Sequence, residues 1–238
     1  MFTESYRARV FVVRLFAIVS LVFILSACGG NGKKIELNFK DDWQAGFSDY
    51  PVGEEEFYQL SSQYKRLPPP LADMRGLNVS GNNHSDDLFM FVTKRFTGLE
   101  PNTQYQLEME ITFATNAPSG CIGIGGAPGE GVAVKAGATA MEPRPYDDGS
   151  GFYLMNIDKG NQMSGGSDAI VLGDFANSKD CEELNFTYEL KTLANASRTF
   201  TVHTDANGIL WLLFGTDSGF EGTTSIYYVS GSVLITEL

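Results

Sequence analysis

The sequence predicts an all-β antiparallel sandwich, and three observations carry that expectation. Apolar and polar residues alternate at period two, most cleanly over Thr103–Thr115 (TQYQLEMEITFAT). The 26 Gly and 9 Pro are scattered so widely that few windows could hold three uninterrupted helical turns. Strand-like segments also succeed one another without the intervening helices of a βαβ rhythm.

The elements follow from the N-terminus. Arg7, Arg9 and Arg14 precede Leu15–Leu25, an apolar run interrupted by Ser20 alone. That length suits the hydrophobic part of an export signal and falls short of the roughly 20 residues of a permanent membrane helix. Ser26, Ala27 and Cys28 close the run, and Gly29–Lys34 (GGNGKK) reads as a flexible tether. Alternation then marks Ile35–Phe39 as a strand. Thr103–Thr115 places Tyr105, Leu107, Met109, Ile111 and Phe113 on one face and Glu108 and Glu110 on the other, a half-buried strand with a wet acidic side. Leu88–Val92, Val132–Val134, Phe152–Ile157, Phe200–Thr204, Ile209–Phe214 and Ile226–Ile235 are further candidates, rich in aromatic and β-branched residues. Asp205-Ala206-Asn207-Gly208 lies between two of them and predicts a hairpin turn. Gly137–Gly151 is the best candidate for a long loop. No internal repeat and no second domain boundary are visible.

The leader carries a resemblance. Leu25-Ser26-Ala27-Cys28 resembles the lipobox of bacterial lipoproteins. The resemblance implies that residues 1–27 are a signal peptide and that Cys28 is lipidated and becomes the N-terminus. Residues 28–34 then form the lipidated cysteine and tether, and residues 35–238 the β-sandwich. A diacylglyceryl group with a third acyl chain would hold the protein durably to a membrane, since stable anchoring takes two or more chains. Gly29, standing where an Asp would signal inner-membrane retention, implies the outer membrane of a Gram-negative envelope.

Without residues 1–27, which hold three of the 17 basic and one of the 29 acidic residues, the chain has 14 basic against 28 acidic residues, a formal charge of −14. Such a surface repels phosphate backbones and excludes nucleic acid as an expected partner. It also repels anionic head groups, so the membrane is reached through lipid and not through a basic face. Cys121 and Cys181 remain, and an even pair in an exported chain reads as a disulfide.

Further resemblances concern the domain. Phe96–Tyr105 (FTGLEPNTQY) is similar to a pattern of fibronectin type III domains and jelly-roll carbohydrate-binding modules. It implies a turn at Pro101-Asn102 and a Tyr105 hydroxyl that caps nearby backbone. Residues 223–238 (TTSIYYVSGSVLITEL) resemble the closing strand of galactose-binding-like jelly rolls, which returns beside the first strand. Asp41-Asp42-Trp43 with Gly46-Phe47 is similar to the opening turn of those modules. GNNHSDDLFMF, NIDKGNQ and GTDSGFEGTTSIYY resemble an uncharacterised group of secreted bacterial proteins. These resemblances narrow the expected sandwich to a jelly roll.

Candidate chemistry is sparse. GNNHSDD (Gly81–Asp87) gathers His84, Asp86 and Asp87 before an apolar strand, a set that suits a sugar or a metal. NIDKGNQ (Asn156–Gln162) adds Lys159 and Asn161 as ligand-binding candidates. Asp158, Asp168 and Asp174 offer oxygen ligands for calcium, and the jelly-roll resemblance raises the prospect of a structural calcium ion; their spacing does not match an EF-hand loop. Asp217-Ser218-Gly219 lacks the flanking residues of a chymotrypsin-like motif, and only His84 and His203 could serve as a base. Gly123–Gly129 (GIGGAPG) has Pro128 where a dinucleotide fingerprint needs its third glycine, and the surroundings of Lys135 lack a phosphate-loop core. Trp43, Tyr50, Tyr146, Tyr153, Trp211, Tyr227 and Tyr228 supply flat faces for sugars, though such rings in a sandwich usually belong to the core. The expected function is a lipid-anchored, non-catalytic binding module for a glycan or another envelope ligand. A glycan hydrolase or lyase and a structural envelope protein that binds protein partners are the alternatives.

Overall fold

A computed structural model describes residues 32–183, 185–195 and 198–238. The leader and Cys28 lie outside the described residues. The strands in chain order are β1 (Lys33–Asn38), β2 (Gln44–Ser48), β3 (Tyr50–Pro51), β4 (Ser61–Arg66), β5 (Arg75–Asn82), β6 (Leu88–Phe96), β7 (Gln104–Thr115) and β8 (Val132–Thr139). They continue with β9 (Pro145–Asp147), β10 (Phe152–Met155), β11 (Ala169–Asp174), β12 (Glu189–Ala194), β13 (Phe200–His203), β14 (Leu210–Ser218) and β15 (Thr223–Glu237). A 3-10 turn at Cys181–Glu183 is the only helical element among the described residues.

Two antiparallel sheets face each other as a β-sandwich of jelly-roll type. The larger sheet runs β12-β7-β15-β5-β4, with β13 beside the first half of β7 and β1 beside the second half of β15. The smaller runs β11-β8-β14-β6-β2, and a three-stranded flap, β3-β10-β9, is paired into neither sheet but packs on the smaller one. As the closing-strand resemblance implied, β15 returns beside β1, with Ile35 opposite Val233. The expected corner also forms: the Glu100 backbone N–H donates to the Tyr105 hydroxyl over 2.9 Å. The register of β15 against β7 shifts at Val229, where one extra residue bends the long strand.

The period-two pattern puts the core where the sequence places it. Tyr105, Leu107, Met109, Ile111 and Phe113 of β7 are all buried and meet Leu88, Met90 and Val92 of β6, Val132 and Val134 of β8, and Leu212 and Phe214 of β14. Asp205 caps its own turn by accepting from the N–H groups of Asn207 and Ile209, each over 2.8 Å. Cys121 and Cys181 are joined, with Cα atoms 5.1 Å apart.

Two boundaries differ from expectation. β1 starts at Lys33, so Lys33 and Lys34 pair with Ile235 and Leu234 instead of belonging to the tether. The expected loop over Gly137–Gly151 is interrupted by strand pairing at both its start and its middle: β8 runs on to Thr139, and β9 occupies Pro145–Asp147. The cause lies in the smaller sheet, whose central strands β8, β14 and β6 are largely buried on both faces. Every residue of β8 is buried, because the chain from Phe152 to Ala169 folds back over the outer face. There Met155 and Ile157 pack on Phe89, Phe91, Ala169 and Leu213 of the sheet.

Candidate functional site

The covered face of the smaller sheet holds an ionic cluster. Lys135 (β8) and Asp217 (β14) are both wholly buried and point to the same side. Lys135 Nζ donates to Asp217 Oδ2 over 2.7 Å and to the carbonyls of Lys159 and Ser164 over 2.9 Å each, which uses all three ammonium protons. Lys159, descending from the covering segment, places Nζ 2.9 Å from Asp217 Oδ2 and 2.9 Å from Asp49 Oδ2, and 4.9 Å from the Phe89 ring centroid. The Gln162 backbone N–H reaches the same Asp217 oxygen over 3.0 Å. The lysines thereby pin the covering segment to the sheet.

The fifth member is Asp87. Burial, then the neighbouring Asp217 charge, pushes its carboxyl up to about 7. Asp87 Oδ1 and Asp217 Oδ1 are both buried without a hydrogen-bonding partner, and the two carboxyls bring oxygens within 4.8 Å of each other, a placement that favours keeping a proton on Asp87. With that proton kept, two ammonium groups balance two carboxylates and the cluster is neutral. Burial draws Lys135 below the ordinary lysine value despite Asp217. For Lys159 burial is again the largest influence and pulls down, but Asp217, Asp49 and their hydrogen bonds outweigh it and hold the ammonium above that value.

Among the described residues, Asp49, Asp87 and Asp217 are the three acids whose oxygens converge closely enough for a cation. They do not fit calcium, because the Lys159 ammonium already sits between two of them. Of the expected calcium ligands, Asp158 and Asp168 are neighbours but Asp174 does not join them. Asp158 accepts from the N–H groups of Gly160 and Ser167, which hold its carboxyl below the usual range. Asp168 accepts from the Asp158 N–H, and Asp174 is paired with Lys191 at 2.6 Å.

The ligand-binding candidates part company in the same way. Lys159 is buried in the cluster instead of facing a ligand, and Asp87 turns inward with it. Asn161 is exposed, its carbonyl accepting from the Ser164 N–H. Asp86 is exposed at φ 60°, and its carbonyl accepts from Gln162 Nε2 over 2.8 Å. His84 alone faces a cleft with ring partners, which the sequence did not reveal. It stacks on Phe57, centroids 4.1 Å apart and planes 24° apart, with Tyr58 edge-on beneath at 5.4 Å. Phe57 is 57% exposed, whereas Tyr58 is buried. Glu54, Pro51 and Ser85 complete a cleft of about 410 Å³.

A second cleft, of about 360 Å³, is lined by Thr139, Met141, Ile157, Asp168, Thr201 and His203 and has no Phe, Tyr or Trp in its wall. The other aromatic candidates serve the fold. Tyr50, Tyr227 and Tyr228 are buried, and Trp43 packs on Phe39 while donating to the Asn38 carbonyl over 2.7 Å. Tyr153 packs on Tyr50 and Trp211 is half-buried, which leaves Tyr146, 46% exposed, as the open ring among them.

No family model and no curated protein matches the chain. Solved structures similar to it include the enzymatically active domain of tailspike protein 4 of bacteriophage CBA120 (11% identity, TM-score 0.35), which the match covers to 20% of its own length and this chain to 83%. Others are a family 11 carbohydrate-binding module from Clostridium thermocellum (11% identity, TM-score 0.36, covering 87% of this chain and 97% of that one) and a candidate sugar-binding protein from Bacteroides thetaiotaomicron (8% identity, TM-score 0.38, covering 82% and 88%).

Proposed function

We propose that the protein is an exported, lipid-anchored, non-catalytic binding module that takes a glycan in the Phe57–His84 cleft. One observation carries the reading: an exposed aromatic ring stacked on an imidazole, with a carboxylate and a hydroxyl at its edge. A sugar presents an apolar C–H face, which suits Phe57, and a rim of hydroxyls, which suits Glu54, His84 and Ser85. The cleft volume lies within the usual range for small-ligand sites, and the second cleft offers no ring of Phe, Tyr or Trp to stack on. The converging carboxylates, by contrast, are closed in beneath the covering segment and neutralised by lysine, an arrangement suited to holding structure and not to hydrolysing a chain.

The lipobox supports attachment through Cys28. Five residue steps separate Cys28 from the start of β1, so the sandwich would stand within about 17 Å of the lipid. A glycan array, run with and without calcium, tests the binding claim. The intact protein retains an oligosaccharide and Phe57→Ala loses it; silence across the array, or equal retention by the variant, overturns the reading.

A further inference from the structure

We propose that Lys135 and Asp217 condense into an intramolecular amide bond that ties β8 to β14, with Asp87 carrying the protons. The geometry comes from the sheet. Gly215 lies opposite Lys135 and Asp217 opposite Ala133, so the two side chains are diagonal neighbours on one face of paired strands. Nζ stands 2.7 Å from Oδ2, and neither side chain is accessible to solvent. Asp217 Oδ1 and Asp87 Oδ1 are both buried without a hydrogen-bonding partner, and the two carboxyls bring oxygens within 4.8 Å of each other, which puts an acid beside the carbonyl that must be polarised.

The reaction balances without any co-reactant. Lys135 gives one ammonium proton to the Asp217 carboxylate and becomes an amine, the form that its burial favours. The nitrogen lone pair attacks Asp217 Cγ; the N–C bond forms as the carbonyl pair moves to oxygen, which the Asp87 hydroxyl holds. A second nitrogen proton passes through Asp87 to the departing hydroxyl, the C–O bond breaks, and water leaves. Asp87 ends protonated, as it began. One positive and one negative charge vanish together, so the cluster stays neutral and the desolvation cost of a buried ion pair is removed. The oxygen lost as water is Oδ2, which Lys159 and the Gln162 N–H bond in the unlinked state, and Oδ1 remains as the amide oxygen. Lys159 is the poorer nucleophile, because two carboxylates and the Gly160 carbonyl hold it as an ammonium.

The test is the intact mass of the purified protein under denaturing conditions, compared with the mass its own polypeptide requires. The expected value, after allowing for the disulfide and for processing at Cys28, is lower by one water. Tandem mass spectrometry of a digest then finds one branched peptide that joins the segments around Lys135 and Asp217. Lys135→Met and Asp217→Ala restore the full mass, and Asp87→Asn leaves most of the chain unlinked. If those variants do not fold, the wild-type digest still decides. A wild-type mass with no water missing overturns the proposal. So does a missing water that maps elsewhere, such as a cyclised Asp148-Gly149 or a bond from Lys159.

Discussion

Removing the disulfide is the perturbation whose size follows most directly from the chain. Cys121 and Cys181 are 60 residues apart, and the loop they close contains β8, β9, β10 and β11. In the chain-entropy model a loop of that length restricts the unfolded chain by about 4 kcal/mol at 25 °C. The native ends are already close, since the Cys181 N–H bonds the Ser119 carbonyl over 2.9 Å, so the effect resides in the unfolded state. An amide between Lys135 and Asp217 would barely change it: the shortest path from Cys121 to Cys181 through that bond still has about 50 residues, which alters the entropy by only a few tenths of a kcal/mol. For a urea slope of about 2 kcal/mol/M, Cys121→Ser with Cys181→Ser lowers the unfolding midpoint by about 2 M. Fluorescence of Trp43 and Trp211 follows the transition, because both rings are half-buried in the native state. The slope itself should rise slightly as the unfolded chain expands. A midpoint lowered by less than about 0.5 M would refute the reasoning.

Other outcomes are as definite. The folded Asp87 carboxyl titrates at about 7, well above its unfolded value of about 3.9, so the native state keeps a proton that the unfolded state has released. Stability therefore falls as pH rises from about 4 to about 7 and levels off above that; thermal midpoints across this window show the slope, and Asp87→Asn flattens it. Gly208→Ala places a methyl against the Leu99 carbonyl at φ 69° and costs at least about 1 kcal/mol, a fall of roughly 2–4 °C in Tm by calorimetry. Cys28→Ser moves the protein from the membrane to the soluble fraction; retention with the membrane would mean that lipid is not the anchor.

The sequence showed most clearly what repeats locally. β7 and β15 are long enough for alternation to fix both strand and buried face, and Tyr105 carries its corner in a short motif. β4 (SSQYKR) and β12 (ELKTLA) escaped notice because edge strands are half-exposed and need no apolar run. β8 was cut short at Val134 because a lysine and a glycine follow, and only the covering segment explains why Lys135 can be buried there. Asp49, Lys135 and Asp217 were not read as a group, since they converge from separate stretches of chain. Their one local sign was a lone charge inside an apolar strand, as in Val132-Ala133-Val134-Lys135-Ala136 and Leu213-Phe214-Gly215-Thr216-Asp217. The reading of Gly81–Asp87 did not foresee its division, with His84 outward and Asp87 inward. Phe57 gave no signal, because one Phe in an acidic turn resembles any other.

If the proposed reading holds, ligand meets the protein at the Phe57–His84 rim, because the outer face of the smaller sheet is closed by its own chain. A nuclear magnetic resonance titration with the oligosaccharide retained on the array measures this residue by residue. Shifts confined to residues 51–58 and 84–86 are the predicted result. Shifts centred on Phe89, Phe91 and Leu213, with the covering segment displaced, would contradict it.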